Sequence, residues 1–285
     1  MMTTAMDRAL STDGVVVAVH ELGGDGEPLL FVHATMLCGR IWEPVTAHLD
    51  GFHAIAPDMR GHGLSTLPGG ASVDWRDIAS DVLAVIDHLG LDQPRAVGHS
   101  MGAACLLLAE LARPATFAQL WLYDPVVRPA TASIGAPDGL TDTERYLAGG
   151  ARRRRATFPS RQAAFENFSA KPPLDQVTAE ARQAYVEHAF AAQEDGSVTL
   201  RCRPEVEAEV YETGARHGAF ERLGEVRCPT AVAHGFPEEG RPSSYAPEVA
   251  SRLAAGREVV FEHLGHFGPF EAPDLVAASI RETFA

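Results

Sequence analysis

The chain is poor in the features that mark several large functional classes. It has only four cysteines in 285 residues, Cys38, Cys105, Cys202 and Cys228. They lie far apart, with neither the C-x-x-C spacing of a metal site nor the density of a disulfide framework, and read as reduced thiols. Basic residues are outnumbered, 24 Lys and Arg against 38 Asp and Glu, for a net charge of -14. Such a surface repels a phosphate backbone and an anionic bilayer, which argues against nucleic acid and membrane as partners. Arg152 to Arg155 run against this trend. Successive helical positions point in different directions, so a solvated surface is the first expectation for them and an anion-attracting rim the second. Nowhere do about 18 uninterrupted apolar residues occur, and the amino terminus MMTTAMDRALSTDG lacks the apolar core of a secretory signal. A soluble, cytoplasmic protein is expected.

What the chain has is apolar residues, 46% of the total, delivered in short runs between amphipathic stretches. Leu29 to His33, His53 to Pro57, Arg95 to Gly98, Leu120 to Tyr123, Thr230 to Gly235 and Glu258 to Leu264 each read as a buried strand. Ile78, Val82, Val85, Ile86 and Leu89 recur at helical spacing, which predicts a crossover helix lying on a mostly parallel sheet. Val15 to Val19, before Gly23-Gly24-Asp25-Gly26, reads as part of an antiparallel edge hairpin. Between about Arg128 and Val226 the strand pattern lapses into polar, arginine-rich, helical sequence, as in Ala179 to Ala192. We expect residues 1–127 and 227–285 to form the core and 128–226 a helical cap inserted between two strands. A separate carboxy-terminal domain is the alternative, but roughly 60 residues are few for a large core of its own.

One segment carries chemistry. The strand Arg95-Ala96-Val97 runs into Gly98-His99-Ser100-Met101-Gly102 and then into a strong helix former, Ala103 to Ala109. Strand, sharp turn and helix together make a nucleophile elbow. The serine of such a turn is strained, and its neighbours two before and two after must lack side chains so that strand and helix can pass. A bare G-x-S-x-G arises by chance with probability on the order of 0.1 in a chain this size, so the flanking strand and helix carry the argument.

With GHSMG the chain also has FVHATM at Phe31 to Met36, DMRGHGLS at Asp58 to Ser65 and LGHFGPFEAP at Leu264 to Pro273. Together, and in this order, these motifs resemble the α/β-hydrolase family over nearly the whole chain. The resemblance implies an α/β fold with an eight-stranded, mostly parallel sheet flanked by helices, a helical cap over the site, and a nucleophile, acid and histidine in that chain order. It assigns Ser100 as nucleophile and His266, just after the last strand, as the base. His263 falls inside that strand, His33 and His62 in structural turns, and His99 beneath the elbow. Asp58, Arg60, Gly61, His62 and Gly63 resemble a recurrent loop that an Asp–Arg pair would hold together.

The acid has two candidates. The position where the family usually carries aspartate is Glu238, followed by Glu239, whereas Asp124 ends the preceding strand at Leu122-Tyr123-Asp124-Pro125. Asp124 is taken first, with Glu238 the alternative. By resemblance the oxyanion donors are the N–H groups of Met101 and Thr35, with Met36 competing because Ala34 stands where the family more often has glycine. Cys38 is expected as a buried thiol near this loop. Phe158, Phe165, Phe168, Tyr185 and Phe190 line a pocket or, more in keeping with their spacing, form the core of the cap.

The implied chemistry is acyl transfer on a small or medium ester-like substrate, with no cofactor and no metal. A serine at the elbow argues against the aspartate-based dehalogenases and epoxide hydrolases that resemble this framework. It leaves open thioesters, lactones, amides and a carbon–carbon bond of a diketone, and, from another class, a non-catalytic small-molecule receptor.

Overall fold

The fold, seen in a computed structural model, is described for residues 6–130 and 139–285. Residues 1–5, in the expected core, and 131–138, in the expected cap, lie outside the described residues.

The apolar runs pair into one eight-stranded sheet. Its strands are β1 (Met6–Leu10), β2 (Val16–Gly23), β3 (Glu27–Val32), β4 (Phe52–Pro57), β5 (Arg95–His99), β6 (Gln119–Tyr123), then β10 (Thr230–His234) and β11 (Gly256–Val260). Their order is β1-β2-β4-β3-β5-β6-β10-β11. From β4 to β11 every pairing is parallel, while β1 and β2 run antiparallel at one edge. Helices cover both faces: α1 (Glu43–Thr46), α2 (Trp75–Leu89), α3 (Met101–Ala112), α8 (Pro242–Arg252), α9 (Gly268–Glu271) and α10 (Pro273–Phe284). Strand alternation sorts the core into two layers. Leu30, Val32, Ala96, Leu120, Leu122 and Val232 face α2 and α3, whereas Leu29, Phe31, Val97, Trp121, Tyr123 and Ala233 pack with Trp42, Phe270 and Ile280 on the other side. Helix α3 is buried along Met101 to Leu111, as a helix apolar on all sides must be.

The antiparallel edge hairpin is formed by β1 and β2, and β2 also pairs antiparallel with β4, which lies between it and β3. One strand expectation changes. The last strand ends at Val260, and Phe261 to Leu264 turn back toward the sheet, with the Phe236 N–H donating to the Leu264 carbonyl at 2.9 Å. His263 is therefore an exposed turn residue rather than part of a strand.

Between the adjacent strands β6 and β10 lie α4 (Asp142–Arg152), β7 (Thr157–Phe158), α5 (Arg161–Ser169), α6 (Ala179–His188), β8 (Phe190–Ala192), β9 (Val198–Leu200) and α7 (Pro204–Thr213). This segment is not purely helical: β7, β9 and β8 form a small antiparallel sheet. The helix expected over Ala179 to Ala192 stops at His188, and the chain enters a hairpin turned at Asp195-Gly196. Phe158, Phe168, Tyr185 and Phe190 pack on one another with ring centroids 5.3–6.0 Å apart, the core reading of these aromatics. In the arginine run Arg152, Arg153 and Arg155 are exposed, as expected of a solvated face, but the run also makes structural contacts. Arg152 pairs with Glu212 and Arg154 with buried Glu207 and the Tyr185 hydroxyl, joining α4 to α7, while Arg155 lies over the Phe158 ring.

The loop after β4 is held together, but not by an Asp–Arg pair. Asp58 accepts from the N–H groups of Gly39 and Leu64 and from His20 Nε2, at 2.7, 2.7 and 2.9 Å. Arg60 is fully buried, and its guanidinium makes two hydrogen bonds to Asp81 of α2, at 2.9 and 2.7 Å, with further bonds to Thr12 Oγ1, the Ser72 carbonyl and Asp13 Oδ2. It clips the β1–β2 connection, the β4 loop and α2 into one unit. Asp81→Asn leaves this buried guanidinium only the partly exposed Asp13 as a paired counter-charge, and we expect a loss of about 3 kcal/mol in urea unfolding; a shift below about 1 kcal/mol would contradict that account.

Candidate active site

The site lies beyond the carboxyl ends of the strands, where a parallel sheet opens its crevice. Strand β5 delivers Ser100 into a turn with φ 55 and ψ -113, a strained conformation for a residue with a side chain. The flanking glycines permit it. A Cβ on Gly98 would lie 2.7 Å from Ala103 Cα, and one on Gly102 would lie 2.3 Å from the Val32 carbonyl oxygen. Ser100 is 7% exposed, and helix α3 starts immediately after it, so the positive end of the helix dipole faces the hydroxyl.

The turn after β11 brings His266 to this serine. Ser100 Oγ lies 3.0 Å from His266 Nε2, and His266 Nδ1 lies 2.8 Å from Asp124 Oδ2. Asp124 is 1% exposed and adopts φ 45 at the end of β6, with its N–H donating to the Ala233 carbonyl. Its other oxygen, Oδ1, is buried with no partner among the described residues. Glu238 is absent from this chain of bonds: its carboxylate is exposed and faces Arg241 at 3.6 Å. The arrangement can pass a proton from Ser100 to His266 while a buried carboxylate steadies the imidazolium.

The N–H groups of Thr35 and of Met101, the residue after Ser100, have no acceptor among the described residues. Positive φ in this loop falls on Met36, at 71, not on Ala34, and the Met36 N–H is already committed to His62 Nε2 at 3.3 Å. Thr35 Oγ1 donates to Met101 Sδ at 3.4 Å, tying the two loops together. His33 and His62 brace the loop from below. His33 Nε2 accepts from the Met59 N–H at 2.9 Å, and His62 Nδ1 donates to the Arg60 carbonyl at 3.0 Å. Burial lowers both imidazoles, His62 to about 3, so they stay neutral and keep these donor and acceptor roles. Cys38 is buried, and burial together with the charge of Asp58 raises its thiol well above the ordinary range. It is no competing nucleophile.

The sequence reading missed what holds the His266 loop. His99 Nε2 lies 2.7 Å from the His266 carbonyl oxygen, the Tyr123 hydroxyl donates to the Gly265 carbonyl at 2.8 Å, and Glu271 accepts the Gly265 N–H at 2.8 Å. Burial raises the Glu271 carboxyl against the pull of the Gly265 and Phe267 N–H groups. The only sequence signal was that Glu271 lies inside LGHFGPFEAP. Among the described residues no three His, Cys, Asp or Glu side chains are grouped to hold a metal ion, and no helix is long and apolar enough to cross a membrane.

The sequence profile of the alpha/beta hydrolase family matches residues 29–279. The chain belongs to this family. Within it, the chain is similar to the non-heme chloroperoxidase CPO-A1 of Kitasatospora aureofaciens, 29% identical over 264 residues that cover 89% of this chain and 90% of that one. Among solved α/β hydrolases, E-2-(acetamidomethylene)succinate hydrolase superposes with a TM-score of 0.82 at 22% identity over 99% of both chains. The esterase EaEST of Exiguobacterium antarcticum gives 0.76 at 20% identity over 98% of both. These likenesses show a common fold whose members carry different chemistries.

Proposed function

We propose that the protein is a serine hydrolase that cleaves an ester-like bond of a small or medium substrate through an acyl-enzyme on Ser100. The observation that carries the reading is the unbroken line of hydrogen bonds from Ser100 through His266 to Asp124, at 3.0 and 2.8 Å. Ser100 Oγ attacks the carbonyl as its proton passes to His266 Nε2. The negative charge that develops on the carbonyl oxygen meets the N–H groups of Thr35 and Met101, each worth about 3 kcal/mol in such a position. Collapse breaks the bond to the alcohol, which leaves with the proton from His266. Water, deprotonated by the same imidazole, then attacks the acyl-enzyme and releases the acid. Asp124 holds the imidazole with Nδ1–H toward itself and Nε2 toward serine. Nothing in this cycle calls on a cofactor. Residues 128–226 are read as a cap that closes over the site and selects the substrate.

A panel of p-nitrophenyl esters of increasing acyl length, followed by product analysis, tests the reading. We expect turnover with acid and phenol released in equal amounts. A folded protein that hydrolyses no ester in the panel would overturn it.

A further inference from the structure

We infer that His99, the neighbour of the nucleophile, is a positioning residue: its Nε2–H, donated to the His266 carbonyl oxygen, sets where the His266 imidazole stands relative to Ser100. The inference rests on the serine-hydrolase reading above and adds to it a fourth side chain that touches no reacting atom.

The geometry is specific. His99 is the last residue of β5 and is fully buried, and its Nε2 is 2.7 Å from the His266 carbonyl oxygen, 167 residues away in sequence. A carbonyl only accepts, so Nε2 carries the proton. The other nitrogen, Nδ1, is buried with no partner among the described residues. An imidazole that leaves one nitrogen unpaired in the core is costly, so an apolar ring would pack there more cheaply unless the Nε2 bond had a use. Burial, reinforced by the neighbouring His266, holds His99 well below the ordinary histidine range, which keeps the ring neutral with a single proton. Tyr123, His266, Phe267 and Phe270 ring it at centroid distances of 5.1–6.0 Å, so it cannot turn away.

The consequence follows from connectivity. The backbone of residue 99 leads directly into Ser100, and the side chain of residue 99 grips the backbone of His266. Nucleophile and base are thereby joined by one rigid tie independent of their own hydrogen bond. The Tyr123 and Glu271 bonds act one residue earlier, at Gly265, and fix the direction of the loop. Among the described residues, the His99 bond is the one made to a backbone atom of His266 itself.

Glutamine and asparagine separate this role from simple packing. The amide nitrogen of glutamine can stand where His99 Nε2 stands, whereas that of asparagine falls short. With the ester that turns over best, His99→Asn and His99→Leu should lose about 10- to 100-fold in kcat with KM unchanged, and His99→Gln should recover most of the loss. A second readout needs no turnover. In proton NMR the downfield Nδ1–H of His266, bonded to Asp124, should be present in the native protein and His99→Gln and be lost to exchange in His99→Asn. Circular dichroism confirms which variants fold, and glutamine and asparagine remain informative if leucine does not. Native kcat and an intact His266 resonance in His99→Asn would overturn the inference, as would a glutamine variant no better than asparagine. If the native protein hydrolyses no ester, the hydrolase reading fails on its own while the resonance still decides whether His99 positions His266.

Discussion

Asp124→Asn should lower kcat for ester hydrolysis by about 10⁴-fold with the fold intact, whereas Glu238→Gln should leave it unchanged. The asparagine is the same size, so the strained φ of 45 and the bond from its N–H to Ala233 persist. What changes is the proton. An amide nitrogen facing His266 Nδ1 donates where the carboxylate accepted, so the imidazole turns its unprotonated nitrogen toward residue 124 and its N–H toward Ser100. It can then no longer take the serine proton. Glu238 faces Arg241 in solvent, and its neutralisation touches nothing in this line of bonds. Loss of activity in Glu238→Gln with full activity in Asp124→Asn would mean that the loop after β10 refolds in solution to deliver the other acid.

Ser100→Ala should cost about 10⁶-fold in kcat, the largest loss of any single substitution. Cys38 does not stand ready to replace it: it is buried with its thiol raised, and its side chain is part of the packed layer around Trp42. The residual rate over water would come from binding and from the Thr35 and Met101 N–H groups. Those donors act on the oxyanion whether serine or water attacks.

How much of this was legible in the sequence depended on how local each decision was. The central strands were readable because parallel strands buried on both faces are written as continuous apolar runs, and β3, β5, β6 and β10 lie within a residue or two of their expected ends. Strand β1, MDRAL, was not, because an edge strand carrying Asp7 and Arg8 lacks such a run. The hairpin at Asp195-Gly196 carried a turn signal, but the helical pattern before it masked the change to a strand at Phe190.

In the site, the elbow was legible because its requirements are local: two small residues, a strand and a helix. The acid was not. Whether Asp124 or Glu238 meets His266 depends on how the last turn crosses β10 and β6, a matter of tertiary path. The same holds for the Asp58 loop. Its motif suggested that Asp58 and Arg60 hold each other, yet their partners are His20 and Asp81, 38 and 21 residues distant in sequence. His99 is the extreme case, since its meaning lies in a carbonyl that no motif connects to it.

The most direct test of the central claim is covalent. Intact-mass spectrometry after exposure to a fluorophosphonate should show one adduct on the native protein, mapped to the peptide that carries Ser100, and none on Ser100→Ala. A folded native protein that stays unlabelled, or a label that persists on Ser100→Ala, would contradict the account.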